Sequence, residues 1–273
     1  MTTTCAPAPN PLPNLRRMWT DAPAFTSTAL LLTLSIAPTL TAMALDTRLF
    51  QNDNIWLKPL KFQLALAIYL ITLAVFARFL PTPMTTRKWR NYAAVVCLAI
   101  TAEILWVAGA AANGTASHFN QSTPIMAALY AVMGLLAVTL TTPTLVMGIA
   151  IWRNKTTGLP PPLHLSISLG LTLTFILTLA AAGTMSSGTG HLIGTPTTGT
   201  TLPILGWSRE VGDLRAAHFF ATHALHAIPL AGVIATRLLP PTLATRTVWA
   251  AAAAYTALIA ALMIQALAGH PVI

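Results

Sequence analysis

The sequence predicts an all-α membrane protein: a polytopic helical bundle of seven transmembrane helices, with the N-terminus inside and the C-terminus outside. Three observations carry this expectation. Of 273 residues, 55% are hydrophobic and only 8% charged, whereas a soluble domain carries about 25% charged residues. The apolar residues fall into seven runs, each near the ~20 residues needed to cross a bilayer. The lysines and arginines are shared unevenly among the segments between runs, as orientation signals are.

Residues 1–23, rich in Thr, Pro and Asn with Arg16 and Arg17 near the end, read as a disordered tail. Residues 24–270 form one seven-helix transmembrane domain. The first run, 24–45, follows two arginines and ends in Ala42-Met43-Ala44, which imitates a signal peptide. Its apolar stretch exceeds the ~7–15 residues of a signal-peptide core, so a retained helix is expected. The second run opens at Trp56-Leu57-Lys58-Pro59-Leu60-Lys61-Phe62 and extends to about Leu80. Pro59 suits a first helical turn, where no N–H is needed. The third run covers about 91–112 and contains Glu103; the fourth, about 124–152, has Pro143 as an expected kink; the fifth covers about 162–185. The sixth, about 213–239, carries Pro229 as an expected kink, and the seventh is the Ala-rich run 246–268.

Orientation follows from the bases. Arg16, Arg17, Arg78, Arg87, Lys88, Arg90, Arg153, Lys155, Arg237 and Arg246 fall on one side; Arg48, Lys58, Lys61, Arg209 and Arg215 fall on the other, with most of the acids. The richer side is expected to be cytoplasmic. The net charge of +9 could suit a nucleic acid. The bases, however, are scattered in short clusters between apolar runs, which fits topology and lipid headgroups instead. Expected partners are the bilayer of the cell membrane and a lipophilic small molecule, with no nucleic acid. Cys5 and Cys97 are far apart and give no disulfide framework. No Walker loop, GxGxxG or GxSxG is present.

The sixth run holds the densest polar pattern. Asp213, Arg215, His218, Thr222, His223 and His226 enter an apolar segment. At about 100° per residue Arg215, Thr222, His223 and His226 fall within roughly 140° of His218, on one face. Ionisable groups at membrane depth are costly and usually face a bundle interior or a wet cavity. Given the orientation above, Glu103, Lys58, Lys61, His118, Asn120, Asp213, Arg215, His218 and His223 all fall at the outer end. An unpaired carboxylate in hydrocarbon is neutralised rather than left charged, so Glu103 is expected either to lock helices as an ion pair or to act as an acid. Glu103, Asp213, His118, His218 and His223 are the catalytic candidates. Lys61, Trp106, Arg215, Asn120 and Trp56 are the candidates for substrate binding, with Lys61 and Arg215 holding the carboxylates or an anionic headgroup. Trp106 lies one turn from Glu103, and an acid beside aromatic faces could protonate an apolar substrate and stabilise a cation. For Trp56 the membrane-interface preference of Trp is sufficient explanation.

Metal binding would need converging neutral imidazoles. His223 and His226 with His118 are the one set, and their spacing matches no known metal motif. Haem would need an axial histidine, with a partner on a facing helix for bis-histidine ligation. Within the spans only the sixth run offers one, since His164 sits at the inner end of the fifth. No metal or cofactor is therefore expected, and a haem- or quinone-linked redox protein is the alternative. A proton-coupled transporter using Glu103 is a third class, weakened by the lack of internal repeats.

The stretches Trp56–Phe62, Ser117–Asn120 and Gly212–Phe219, with Glu103, resemble signature segments of a bacterial multi-span membrane family. No activity is attached to that family, so the resemblance implies architecture alone. A small seven-span chain with an intramembrane acid is also similar, in architecture, to integral membrane terpene cyclases, which would imply proton-initiated cyclisation of an isoprenoid. Seven-span hydrolases related to ceramidases carry an HxxxH-type metal signature that is absent here.

Overall fold

The computed structural model describes residues 15–51 and 53–273. The expected tail lies partly outside them. Its remainder is ordered: α1 (Leu15–Asp21) buries Met18 against the bundle, Thr26 Oγ donates to Met18 O at 2.9 Å, and Met84 N donates to Asp21 O at 3.0 Å. A wholly disordered 1–23 is therefore corrected for Leu15–Asp21.

The long helices are α2 (Pro23–Leu45), α3 (Leu57–Phe76, extended by a 3₁₀ turn to Phe79), α4 (Arg87–Ala112), α5 (Pro124–Arg153), α6 (Pro161–Ser186) and α9 (Pro241–Leu267). These six are long and apolar enough to cross a membrane; α7 (Leu214–Thr222) and α8 (Ala224–Leu238) form a bent pair that makes a seventh if counted as one span. Pro23, Pro124, Pro161 and Pro241 each open a helix. Proline fits there because its fixed φ is helical and its missing N–H would be unpaired in any case.

Burial is distributed as in a bilayer protein. Leu31, Leu34, Leu98, Leu105, Leu135 and Ile264 are exposed on helix surfaces, while Phe25, Leu70, Leu73, Ile100, Met147, Ile151, Leu171 and Leu225 form the core. Helix α6 is central, packing on α5, α7, α8 and α9; α3 packs on α2 and α4. Small residues bring the central helices close, as is common where lipid supplies no hydrophobic drive between helices. A methyl group on Gly232 would lie 1.9 Å from Ser166 Oγ, and one on Gly170 would lie 2.6 Å from Pro229 Cδ.

The two prolines expected to bend their helices both lie inside continuous helices. Helix α5 runs through Pro143 as one element, and the carbonyl that Pro143 cannot bond, Thr139 O, accepts the Thr142 hydroxyl at 2.7 Å. Freed backbone groups in membrane helices are commonly recovered by Ser and Thr in this way. The sixth span bends by 51°, but at His223 rather than at Pro229. His223 leaves helical geometry (φ −95°, ψ 3°), while Pro229 sits inside α8. Arg215, His218, His223 and His226 thus do not lie on one continuous helical face.

Two short antiparallel ladders close one end of the bundle: β1 (Leu49–Phe50) with β2 (Asp53–Asn54), and β3 (Leu192–Ile193) with β4 (Gly212–Asp213). The second pins the loop between α6 and α7 over the bundle. A methyl group on Gly212 would lie 1.9 Å from the Ala266 carbonyl oxygen, so only glycine lets β4 cross the end of α9 this closely. Within that loop the exposed Glu210 carboxylate accepts the backbone N–H and hydroxyl of each of Thr197, Thr198 and Thr200 at 2.6–3.0 Å. These bonds hold its carboxyl below the usual carboxylate range.

Candidate functional site

The site lies at the end closed by the ladders, between the first turns of α3 and α7, the last turns of α4, and the loops 113–123 and 187–213. Lys58 and Lys61 are three residues apart and share a face of the first turns of α3. Asp213 caps α7: its Oδ1 accepts Arg215 N at 3.0 Å. Its side chain is fully buried and also accepts Ser208 N at 2.9 Å, Arg215 Nε at 3.0 Å and Arg215 Nη2 at 2.6 Å. Burial raises the Asp213 carboxyl, but the Arg215 guanidinium and the two backbone N–H groups outweigh it and leave it lowered. Arg215 Nη2 also donates to Gly206 O at 2.5 Å, so one end of the guanidinium is fixed to the loop.

His118 faces α3 across a loop that Trp106 positions, since Trp106 Nε1 donates to Ser117 O at 2.8 Å. Lys58 Nζ donates to His118 Nδ1 at 3.4 Å, and the Ser117 hydroxyl lies 3.1 Å from the same nitrogen. An ammonium has no acceptor, so Nδ1 is the acceptor and a neutral His118 carries its proton on Nε2. Burial first, then the charges of Lys58 and His218, lower His118 to about 3. The rings of Phe62 and Tyr130 flank it at 5.8 and 6.3 Å, and Phe119 touches Tyr130 at 5.3 Å. His191, the residue before β3, joins the group, and its carbonyl accepts Leu214 N at 3.0 Å. Burial and then Arg215 lower it to about 4, with Asp213 opposing.

Glu103 differs from the other acids. It is 2% exposed, and neither carboxylate oxygen has a hydrogen-bond partner among the described residues. Lys58 is the charge it senses, from beyond ion-pair distance. His218 Nδ1 is likewise buried without a partner. An unpaired buried polar group costs roughly 1–3 kcal/mol, so two within one cluster are a conspicuous expense.

Of the residues expected at the site, Glu103, Lys61, His118, Asp213, Arg215 and His218 belong to this cluster, and Trp106 supports it from behind. Trp56 stands apart: its indole N–H donates to Asp46 Oδ2 at 3.0 Å. Asn120 shapes its own loop, donating to Thr115 Oγ and Ala116 O and accepting from Ser122. His223 pairs instead with His226, Nδ1 to Nδ1 at 3.2 Å, and stacks on Phe219 with ring centroids 4.3 Å apart. Thr72 Oγ donates to Ile68 O at 2.8 Å and lies 2.9 Å from His226 Nε2. Its one proton is spent on Ile68, so His226 Nε2 donates to it. In the neutral pair His223 Nδ1 then donates to His226, and His223 Nε2 is the remaining acceptor. No set of three metal-binding side chains occurs among the described residues.

Lys58, placed at the outer end by the sequence but not among the candidates for catalysis or binding, joins the site, as do His191 and Gly206. For Lys58 the signal was present, in its three-residue spacing from Lys61; His191 and Gly206 offered none. A separate cavity of about 150 Å³, lined by Ala22, Phe25, Met84, Arg90 and Ala93, lies at the opposite, basic end. It holds one charged group and no acid–base set. No protein-family model, curated protein or solved structure matches this chain.

Proposed function

We propose that this chain is a seven-span enzyme of the cell membrane that uses Glu103 as a proton donor on a lipophilic substrate. The basic end, with Arg87, Lys88, Arg90, Arg153 and Lys155, faces the cytoplasm under the Lys/Arg rule, and the site faces outward. The observation that carries the reading is the Glu103 carboxyl, buried with both oxygens unpartnered among the described residues, whereas Asp213 is fully bonded. A carboxyl so placed is carried as a neutral acid, and a neutral acid shielded from water suits protonation of an alkene. Asp213, held charged by Arg215, anchors α7 in this reading and leaves Glu103 as the acid.

The step balances without a co-reactant. The alkene π pair takes the Glu103 proton to form a C–H bond, and a cation develops on the adjacent carbon. A second alkene closes on the cation, and loss of a proton restores a double bond. His218, with Nδ1 unpartnered, is the group available to receive that proton. The net change is isomerisation, of which cyclisation of a linear isoprenoid is one form. The test follows deuterium. Membranes containing the wild-type chain and incubated in D₂O with linear polyprenyl substrates should yield an isomeric product carrying one deuteron. Glu103→Gln should abolish it while the protein remains inserted and thermally stable. Equal incorporation by Glu103→Gln, or none by wild type, refutes the proposal.

A further inference from the structure

We infer that Lys58, Lys61 and the free edge of Arg215 form an anion subsite above Glu103, and that its ligand is the phosphate headgroup of a long-chain alkyl or prenyl phosphate. This rests on the reading of the site given above and adds the chemical class of the substrate.

Arg215 spends Nε and Nη2 on Asp213 and Gly206, while no hydrogen bond engages Nη1 among the described residues. A guanidinium binds phosphate through just such an edge. Lys61 has no hydrogen bond among the described residues, and neither lysine has a carboxylate within ion-pair distance there. Lys58 has only the neutral His118 imidazole. Lys58 is exposed to solvent.

The groups converge on a gap. Gly206 has φ +73°, and a methyl group built there would lie 3.7 Å from Lys61 Nζ, 3.9 Å from Asp53 Oδ2 and 4.0 Å from Arg215 Nη1. The side chain that would fill this space is missing, in a backbone conformation that favours glycine. At the gap Lys61 and Arg215 meet Asp53, while Asp213 is already committed to Arg215, and Lys58 adds a third cation close enough to act on Arg215. The surplus is positive, and Glu103 adds no charge to it as a neutral acid.

With its phosphate held there, such a molecule keeps its headgroup in water and leaves its chain to reach the Glu103 acid. The headgroup is a handle only, and no bond to it is made or broken.

The experiment uses the purified full chain in neutral detergent and reads thermal unfolding with three probes: dodecyl phosphate, dodecanol and inorganic phosphate. Dodecyl phosphate should raise the unfolding temperature saturably, and the other two should not. Lys61→Gln, checked for unchanged unfolding without ligand, should weaken the response about tenfold, as loss of one charge-assisted contact does. Equal stabilisation by inorganic phosphate would overturn the amphiphile in favour of a soluble anion. Equal stabilisation by dodecanol, no response to any probe, or an undiminished response in Lys61→Gln would overturn the subsite. Glu103→Gln should bind dodecyl phosphate as wild type does, because binding requires no proton transfer. Failure of the acid reading and failure of the subsite are therefore read from different variants.

Discussion

The Asp213–Arg215 latch sets the position of α7, and Asp213→Asn measures its worth. Asparagine preserves the shape and can still cap the helix through its oxygen, but it removes the charge and turns an amide N–H toward Arg215 or Ser208. Removing one member of a buried ion pair costs about 3–5 kcal/mol. Asp213 is fully buried, but the Arg215 side chain is 33% exposed, so water recovers part of the stranded charge and about 2–3 kcal/mol is expected. Asp213→Ala also loses the cap, worth about 1 kcal/mol more. The assay is reversible unfolding in mixed micelles, run as a double-mutant cycle with Arg215→Met. The two single variants should not add: a coupling of about 1.5–3 kcal/mol is expected for partners in one network. A loss below about 0.5 kcal/mol for Asp213→Asn, within the range of ordinary surface changes, would refute the latch, as would an additive cycle. The pH profile is a second check. The Asp213 carboxyl is lowered from 3.8 in the folded chain, so its contribution is complete above that value and is lost as pH falls further. Asp213→Asn should flatten that acid limb.

Two more outcomes follow. His118 and His191 are lowered from 6.5 to about 3 and about 4, so below pH 6.5 the unfolded chain binds the protons that the folded chain refuses. Stability should therefore fall as pH drops from 6.5 toward 4, a window above that of Asp213; the double substitution His118→Gln, His191→Gln should shrink that slope, and an unchanged slope would show that neither ring is held neutral. Reporter fusions after Leu159 should read cytoplasm and fusions after Thr198 the exterior, and the reverse pattern would place the site on the cytoplasmic face.

Much of this architecture could be read in advance, and the departures share a cause. The spans at α2, α3, α4, α5 and α6 fell where the apolar runs placed them, and α9 began five residues earlier than expected, at Pro241 instead of residue 246. Glu103 was conspicuous because a lone acid in an apolar run is costly wherever it faces. For the bend of the sixth span the sequence points to Pro229, because proline is the usual local cause. Tertiary contacts moved it: His223 pairs with His226, which reaches Thr72 on α3, and Pro229 packs against Gly170. With the helix broken there, a single wheel over Arg215 to His226 mixed two groups that the fold separates.

What the sequence determined by itself was the set of membrane-type helices and the ends at which their charges lie. Hydrophobic length, proline at helix starts and charge between runs act within a few residues of chain, so no distant contact is needed to read them. Only the tertiary structure decided which polar group is satisfied by which. Glu210 is consumed by three threonines of its own loop, Asp46 by Arg48 and the Trp56 indole, and Asp213 by Arg215 and Ser208, while Glu103 is left with none among the described residues. A hydrogen bond forms only over about 3 Å and at a suitable angle. That geometry is fixed by how separate helices and loops pack, and residue order alone does not contain it.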